Sequence, residues 1–201
     1  EAFLGLLPAA WTVADVGTGT GYLLPVLGRH FARVIGVEPE EAPCMTEALK
    51  RQRRVTLKQV GIFADGVAVR QAGKEPYRIA RKYVDDMILV STDEICAAIK
   101  DVFDDSRSIV EPAGALAVAG IKKYVAREDA RGQTLVGILS GANVNFDRLR
   151  HIAERAEVGE QREALFAVQI PEKPGSFLAF CRALGRRSIT EFNYRFSDQR
   201  D

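Results

Sequence analysis

The chain has 201 residues, of which 47% are hydrophobic and 27% charged, as in an ordinary globular protein. Its net charge of only +1 gives no overall field that would favour a nucleic acid or an anionic membrane as partner. The chain shows no transmembrane-length apolar run and no signal-peptide pattern, and its three cysteines lie far apart, so we expect a reducing, cytoplasmic location.

The first predicted elements form a βαβ unit. Residues 12–16 and 33–39 are short apolar runs with β-branched side chains, which predicts two buried strands. Residues 22–30 between them predict a helix, and Pro25 is tolerated near its first turn. The order strand, helix, strand predicts a right-handed crossover between parallel strands.

The alternation of strands and helices continues along the chain. Ser91 and Glu94 have the spacing of a capping box at a helix start. Further helices are predicted at 41–52, 91–103, 111–125 and from about residue 146, and further buried strands at 87–90 and 134–140. This alternation predicts the α/β class, with a mainly parallel sheet and flanking helices.

The composition changes at residues 156–163, a polar stretch that we interpret as a linker. Beyond it, residues 164–171, 172–185 and 188–196 predict a strand, a helix and a strand. About 40 residues bury too little surface to be stable alone, so we expect the chain to be an excerpt of something longer. The predicted domains are residues 1–157 and residues 158–201.

A turn between the first predicted strand and helix contains three alternating glycines, Gly17, Gly19 and Gly21. Glycine allows a close backbone approach to a ligand, and a helix N-terminus offers free N–H groups; a plain tight turn is the alternative. The D-x-G-x-G-x-G order, and residues 1–37 as a whole, resemble S-adenosylmethionine-dependent methyltransferases. That resemblance implies the glycines beside the methionine part of S-adenosylmethionine and Glu38 on its ribose.

The rest of the chain resembles a different family, biosynthetic threonine dehydratase (threonine ammonia-lyase), in residues 60–69, 84–125, 139–181 and 188–196. The resemblance implies the cofactor pyridoxal phosphate (PLP) and the fold of tryptophan synthase β, followed by a truncated ACT-like α+β regulatory unit. It also implies deamination of L-threonine to 2-oxobutanoate in isoleucine biosynthesis. The implied partners are a small-molecule substrate and an amino-acid effector, and a homo-oligomer is compatible with the family.

The same resemblance implies three residues near the PLP ring. Ser140 of the S-G-A-N motif would face the pyridine nitrogen, where a neutral hydroxyl does not force a proton onto the ring. Glu111 and Gly66 would lie close to the ring. The alternative for Ser140 is a strand-end serine that caps the next turn, and the alternative for Glu111 is a carboxylate favoured by a helix N-terminus.

Two features of the threonine dehydratase family are missing. No S-F-K-type motif supplies the Schiff-base lysine, since the only Ser-Phe pair, Ser176-Phe177, is followed by Leu178. Alternating glycines also stand where the family's tetraglycine phosphate loop is expected. We therefore predict no catalytic residue, negligible activity for the chain alone, and a chimera joined near residues 34–40. The alternatives are a methyltransferase-like fragment that binds S-adenosylmethionine and an inactive scaffold.

The position of Glu38 also allows a metal hypothesis. In related PLP enzymes, the residues matching Glu38, Ala42 and Cys44 bind a divalent cation. A neutral thiol is a poor ligand for a hard cation, so we predict no metal here.

Overall fold

A three-stranded parallel sheet lies at the centre of the first of two units. The computed structural model describes residues 6–16 and 22–195. The strands are β1 (Thr12–Val16), β2 (Arg33–Pro39) and β3 (Asp86–Val90), in the order β1-β2-β3. Val13 pairs with Val34, and Val37 pairs with Ile88. The predicted α/β class and parallel strand direction are confirmed.

Six α-helices of the described residues belong to the first unit, Glu1–Ala164. They are α1 (Leu24–His30), α2 (Cys44–Lys50), α3 (Lys74–Tyr83), α4 (Thr92–Ser106), α5 (Pro112–Glu128) and α6 (Arg148–Gly159). α3 lies in a stretch for which the sequence predicted no element. None of the helices in the described part of the chain has the length and apolar character needed to cross a membrane.

Strand β2 is covered on both faces, since its alternate residues point to opposite sides of the sheet and belong to two different cores. Ile35 and Val37 belong to the larger core, which they share with residues of α4, α5 and α6 such as Ile95 and Leu116. Val34 belongs to the smaller core, formed with α1 and α3. Strand β2 is therefore buried as in other α/β proteins. Thr12 and Ala14 of β1 are exposed, so the prediction that the first strand is buried is wrong.

The predicted capping box at the start of α4 is present. The Ser91 hydroxyl accepts from the Glu94 backbone N–H (3.1 Å), and the Glu94 carboxylate accepts from the Ser91 N–H (2.7 Å). We expect Ser91→Ala to lower the free energy of unfolding by about 1 kcal/mol, measured by urea denaturation, because it removes the helix cap. Ser108→Ala, at an exposed loop position, is the control; equal losses in both variants would contradict the role of the cap.

Three predicted strands are wrong within the described residues. Residues 134–140, 164–171 and 188–195 form no strand, and most of their side chains are exposed. A strand needs a hydrogen-bonding neighbour, and none of these segments pairs with β1, β2 or β3. The predicted linker at 156–163 also needs correction, since α6 continues to Gly159, where a side chain would overlap the Asp93 carbonyl group of α4.

The second unit is Leu165–Asp201. Its described residues contain one helix, α7 (Ser176–Leu184). The ring of Phe177 lies 5.0 Å from that of Phe192 and 6.2 Å from that of Phe180, measured between centroids. The contact with Phe192 holds the residues after α7 against the helix.

Candidate functional site

The carboxyl ends of the three parallel strands lie at one edge of the sheet, where open α/β sheets bind their ligands. β1 leads there into residues 17–21. The predicted ligand residues Gly17, Gly19 and Gly21 lie outside the described residues, so they stay predictions from the sequence. β2 leads at the same edge into Glu40, and β3 into Ser91.

The carboxylate of Glu38, near the end of β2, accepts hydrogen bonds from the start of helix α2. Its Oε1 atom accepts from the Met45 N–H (2.9 Å), and its Oε2 atom accepts from the N–H and the hydroxyl of Thr46 (2.8 and 2.7 Å). The Cys44 thiol also lies 3.8 Å from Oε1 as a donor. Since both oxygens are engaged by four donors, this arrangement favours a structural role for Glu38 over contact with a ribose.

The Cys44 thiol is kept neutral by its surroundings. Burial, the charge of Glu38 and the hydrogen bond to that carboxylate raise the pKa of Cys44 to about 11. A thiol that stays protonated near neutral pH is a weak metal ligand, since thiolates and not thiols bind metals. The chemistry of this donor set therefore does not fit the cation of the metal hypothesis.

We expect thiol reagents to distinguish the three cysteines of the folded chain. Burial also raises the pKa of Cys96 to about 12, so at pH 8 only on the order of a thousandth or less of Cys44 and Cys96 is thiolate. Iodoacetamide at pH 8 should modify Cys181, which is only half-buried, well before the other two. Peptide mass spectrometry measures the order, and denatured chain, in which all three react, is the control. Equal rates in the folded chain would contradict the burial of Cys44 and Cys96.

Helix α5 carries its first residues to the carboxyl edge of the sheet. Arg127, near the end of α5, pairs with Asp86 at the start of β3 (2.8 Å), and Gly120 lies against Val37 in the second half of β2. The helix therefore runs antiparallel to the strands. Its N-cap residue, Glu111, extends beyond their carboxyl ends.

At this end of α5 the structure brings together Ser140, Glu111 and Gly66. The Glu111 N–H donates to the Gly141 carbonyl oxygen (3.2 Å), and its Oε2 atom accepts from the Asn143 N–H (2.9 Å). A side chain at Gly66 would begin 3.8 Å from Oε1 of Glu111. Three residues that lie far apart in the sequence thus come together around the polar turn at residues 140–143.

Sequence reasoning missed three further residues of this site. Gly114 lies against the Ser140 carbonyl group, Gly141 has a left-handed backbone with φ +83°, and Asn143 donates to Glu111. The S-G-A-N motif contains two of them, but the contact with Gly114 joins residues 26 positions apart and leaves no local pattern.

The amines of Lys123 and Lys100 are engaged elsewhere. Lys123 pairs with Glu94 (2.9 Å) and Glu40 (3.4 Å). Lys100, on α4, pairs with Glu157 of α6 (3.5 Å) and with Glu160, which follows that helix (3.7 Å). Within residues 6–16 and 22–195, no lysine amine makes a hydrogen bond or ion pair with Glu111, Ser140 or Asn143.

Fold and site together define an α/β domain with a parallel sheet and a polar turn at its ligand-binding edge. Residues 10–141 match the family described as pyridoxal-phosphate dependent enzyme, and residues 154–201 match the C-terminal regulatory domain of threonine dehydratase. The first match spans more than half of the chain, and the chain belongs to the pyridoxal-phosphate dependent enzyme family. That match includes the glycine loop, so the methyltransferase and chimera hypotheses are left without support.

Curated proteins similar to this chain include biosynthetic threonine dehydratases. The L-threonine dehydratase of Escherichia coli is 56% identical over 169 residues, covering 84% of this chain and 33% of the relative. That of Pasteurella multocida is 54% identical over 168 residues, with the same coverage of 84% and 33%. The chain thus spans about a third of the length of the curated relatives it matches.

Solved structures of threonine deaminases are similar as well. The processed form of threonine deaminase isoform 2 from Solanum lycopersicum has a TM-score of 0.70 and 36% identity, covering 78% of this chain and 44% of the other. A threonine deaminase from T.th. has a TM-score of 0.58 and 31% identity, covering 72% and 52%. Both likenesses support the parallel α/β fold.

Proposed function

We propose that the chain supplies the cofactor-side part and the regulatory part of a PLP-dependent threonine dehydratase. The complete protein would convert L-threonine to 2-oxobutanoate and ammonia in isoleucine biosynthesis. The observation that carries this proposal is the match of residues 10–141 to the PLP family, followed by the match of residues 154–201 to the threonine dehydratase regulatory domain.

The turn at residues 140–143 fits the ring end of the cofactor. PLP supplies an electron sink, and the protein tunes it through the partner of the ring nitrogen. Ser140 is exposed on a turn held at the carboxyl edge, and its neutral hydroxyl suits that partnership. On sequence grounds alone, the loop with Gly17, Gly19 and Gly21 is proposed to hold the phosphate. Gly66 would leave room for the ring, whereas Glu38 is not proposed as a ligand.

Binding of pyridoxine 5′-phosphate tests this part of the proposal, because that analogue has no aldehyde and needs no lysine. We expect calorimetry to detect binding to the parent chain, and Ser140→Ala to weaken it about tenfold, the equivalent of one hydrogen bond. Ser176→Ala, a serine of the second unit, is the matched control. Absence of binding to the parent chain, or an equal effect of both substitutions, would contradict the assignment of Ser140.

The 201-residue chain is further proposed to be inactive alone, because it contains no lysine in a motif that matches the family's anchor. Incubation with PLP followed by borohydride should leave no single lysine stoichiometrically labelled, as measured by peptide mass spectrometry. A complete threonine dehydratase, treated in parallel, is the positive control. Stoichiometric labelling of one lysine of the chain would overturn the proposal.

The regulatory part, residues 154–201, is proposed to respond to an amino-acid effector, and the complete protein is proposed to form a homo-oligomer. The domain division at residue 157 is likewise proposed from the change in composition. A reducing compartment such as the cytoplasm is proposed from the use of cysteine, with Cys44, Cys96 and Cys181 all free thiols.

A further inference from the structure

We propose that Glu111 is a positioning residue that acts through Ser140. In this proposal its carboxylate holds the turn at residues 140–143, which we call the serine turn, and does not itself touch the cofactor. The inference rests on the proposed function only in giving Ser140 the ring nitrogen as its partner. The geometry of the serine turn itself is independent of that assignment.

Glu111 is bonded to the serine turn at two points. Its backbone N–H donates to the Gly141 carbonyl oxygen at 3.2 Å, and its carboxylate accepts from the Asn143 N–H at 2.9 Å. The second bond is charge-assisted, which makes it stronger than a bond between neutral groups. One residue at the N-cap of α5 therefore fixes the backbone on both sides of Ala142.

Two glycines allow this close packing. A side chain at Gly141 would overlap the Glu111 carboxyl group, and the φ of +83° at Gly141 is itself unfavourable for other residues. On the opposite side, a side chain at Gly114 would overlap the carbonyl oxygen of Ser140. The serine turn is thus held between the carboxylate of Glu111 and the first turn of α5.

The position of Ser140 depends on this support. Within the described part of the chain, the Ser140 side chain makes no hydrogen bond, and the residue is exposed. The position of its Cβ atom is set by its backbone, which lies against Gly114 and is continuous with the turn that Glu111 holds. Loss of the Glu111 carboxylate should leave the Ser140 hydroxyl present, but the residue should be less well positioned.

The direct test is the water-exchange rate of the Asn143 amide, measured by NMR in the full chain. Glu111→Ala should raise this rate about tenfold, because it removes the only acceptor found for this amide among the described residues. Glu111→Gln retains an acceptor oxygen and should restore the rate to within about threefold of the parent. The Ala119 amide inside α5 reports whether each variant is folded, and Glu154→Ala controls for removal of an exposed carboxylate. An unchanged rate in folded Glu111→Ala, or no rescue by Glu111→Gln, would overturn the proposal.

A second variant covers the case in which Glu111→Ala does not fold. Gly141→Ala keeps the carboxylate but forces it away from the turn, and it should also raise Asn143 exchange about tenfold. An Asn143 rate equal to that of the parent chain would overturn the proposal.

Analogue binding then separates a positioning role from direct contact. If Glu111 acts through Ser140, Glu111→Ala should weaken pyridoxine 5′-phosphate binding in the parent chain but not in a Ser140→Ala background. Additive losses would mean that Glu111 contacts the ligand directly and would overturn the positioning role. If the parent chain binds no analogue, the proposed function fails, while the amide exchange still decides whether Glu111 holds the serine turn.

Discussion

Replacing Leu116 with alanine is expected to lower the free energy of unfolding of the first unit by about 3 kcal/mol. Leu116 lies on α5, is fully buried, and belongs to the larger core together with Ile35 and Ile95. Its truncation removes apolar contacts and leaves a cavity between the helix and the sheet, where close packing limits relaxation. Urea denaturation followed by circular dichroism measures the loss.

The matched control for this substitution is Leu178→Ala, because Leu178 is also helical but 54% exposed. Leu178→Ala should change the free energy of unfolding by less than about 0.5 kcal/mol. A loss below about 1 kcal/mol in Leu116→Ala would mean that α5 is not packed on the sheet as described. It would also remove the basis for placing Glu111 at the carboxyl edge.

Gly114→Ala is expected to cost about 2 kcal/mol and to displace the serine turn. Alanine favours a helix over glycine by about 1 kcal/mol, which would stabilise an exposed position. At Gly114 the added carbon overlaps a backbone carbonyl group, that of Ser140, and neither backbone can move cheaply. The overlap therefore outweighs the gain in helix propensity.

Gly120→Ala, in the same helix, is the control for the effect of Gly114→Ala. Its added carbon would lie 3.0 Å from a methyl group of Val37, a side chain that can shift by a few tenths of an ångström. We expect Gly120→Ala to change the free energy of unfolding, measured by urea denaturation, by less than about 1 kcal/mol. The chemical shift of the Asn143 amide in the NMR spectrum should stay the same. If Gly114→Ala leaves both the stability and that signal unchanged, the contact between α5 and the serine turn is absent.

Local signals explain what could be predicted from the sequence. Ser91 and Glu94 lie three residues apart, so their capping box is visible without knowledge of the fold, and the structure contains it. The strands near residues 12, 33 and 87 are apolar runs that form a parallel sheet, and those near 33 and 87 contribute buried residues to the cores. An apolar run alone does not specify a partner strand, which is why the same argument failed for residues 134–140.

The site could be predicted only in part, because its contacts join distant residues. The S-G-A-N motif drew attention to Ser140, but the overlap with Gly114 depends on how α5 packs. Glu38 has the chemistry of a ligand residue in the sequence. The structure engages both of its oxygens with the start of α2, a role that requires the chain to turn back after β2. Burial and hydrogen bonding, which the sequence does not give, decide between the two roles.

The exposed segment 134–140 has a practical consequence for the isolated chain. Four of its side chains are large, apolar and at least 39% exposed: Leu135, Val136, Ile138 and Leu139. With a net charge of only +1, the molecules repel one another weakly. Exposed apolar β-branched segments without charge are where chains adhere to each other. We therefore expect turbidity to rise steeply with protein concentration, and a charged residue at Val136 or Ile138 to delay it.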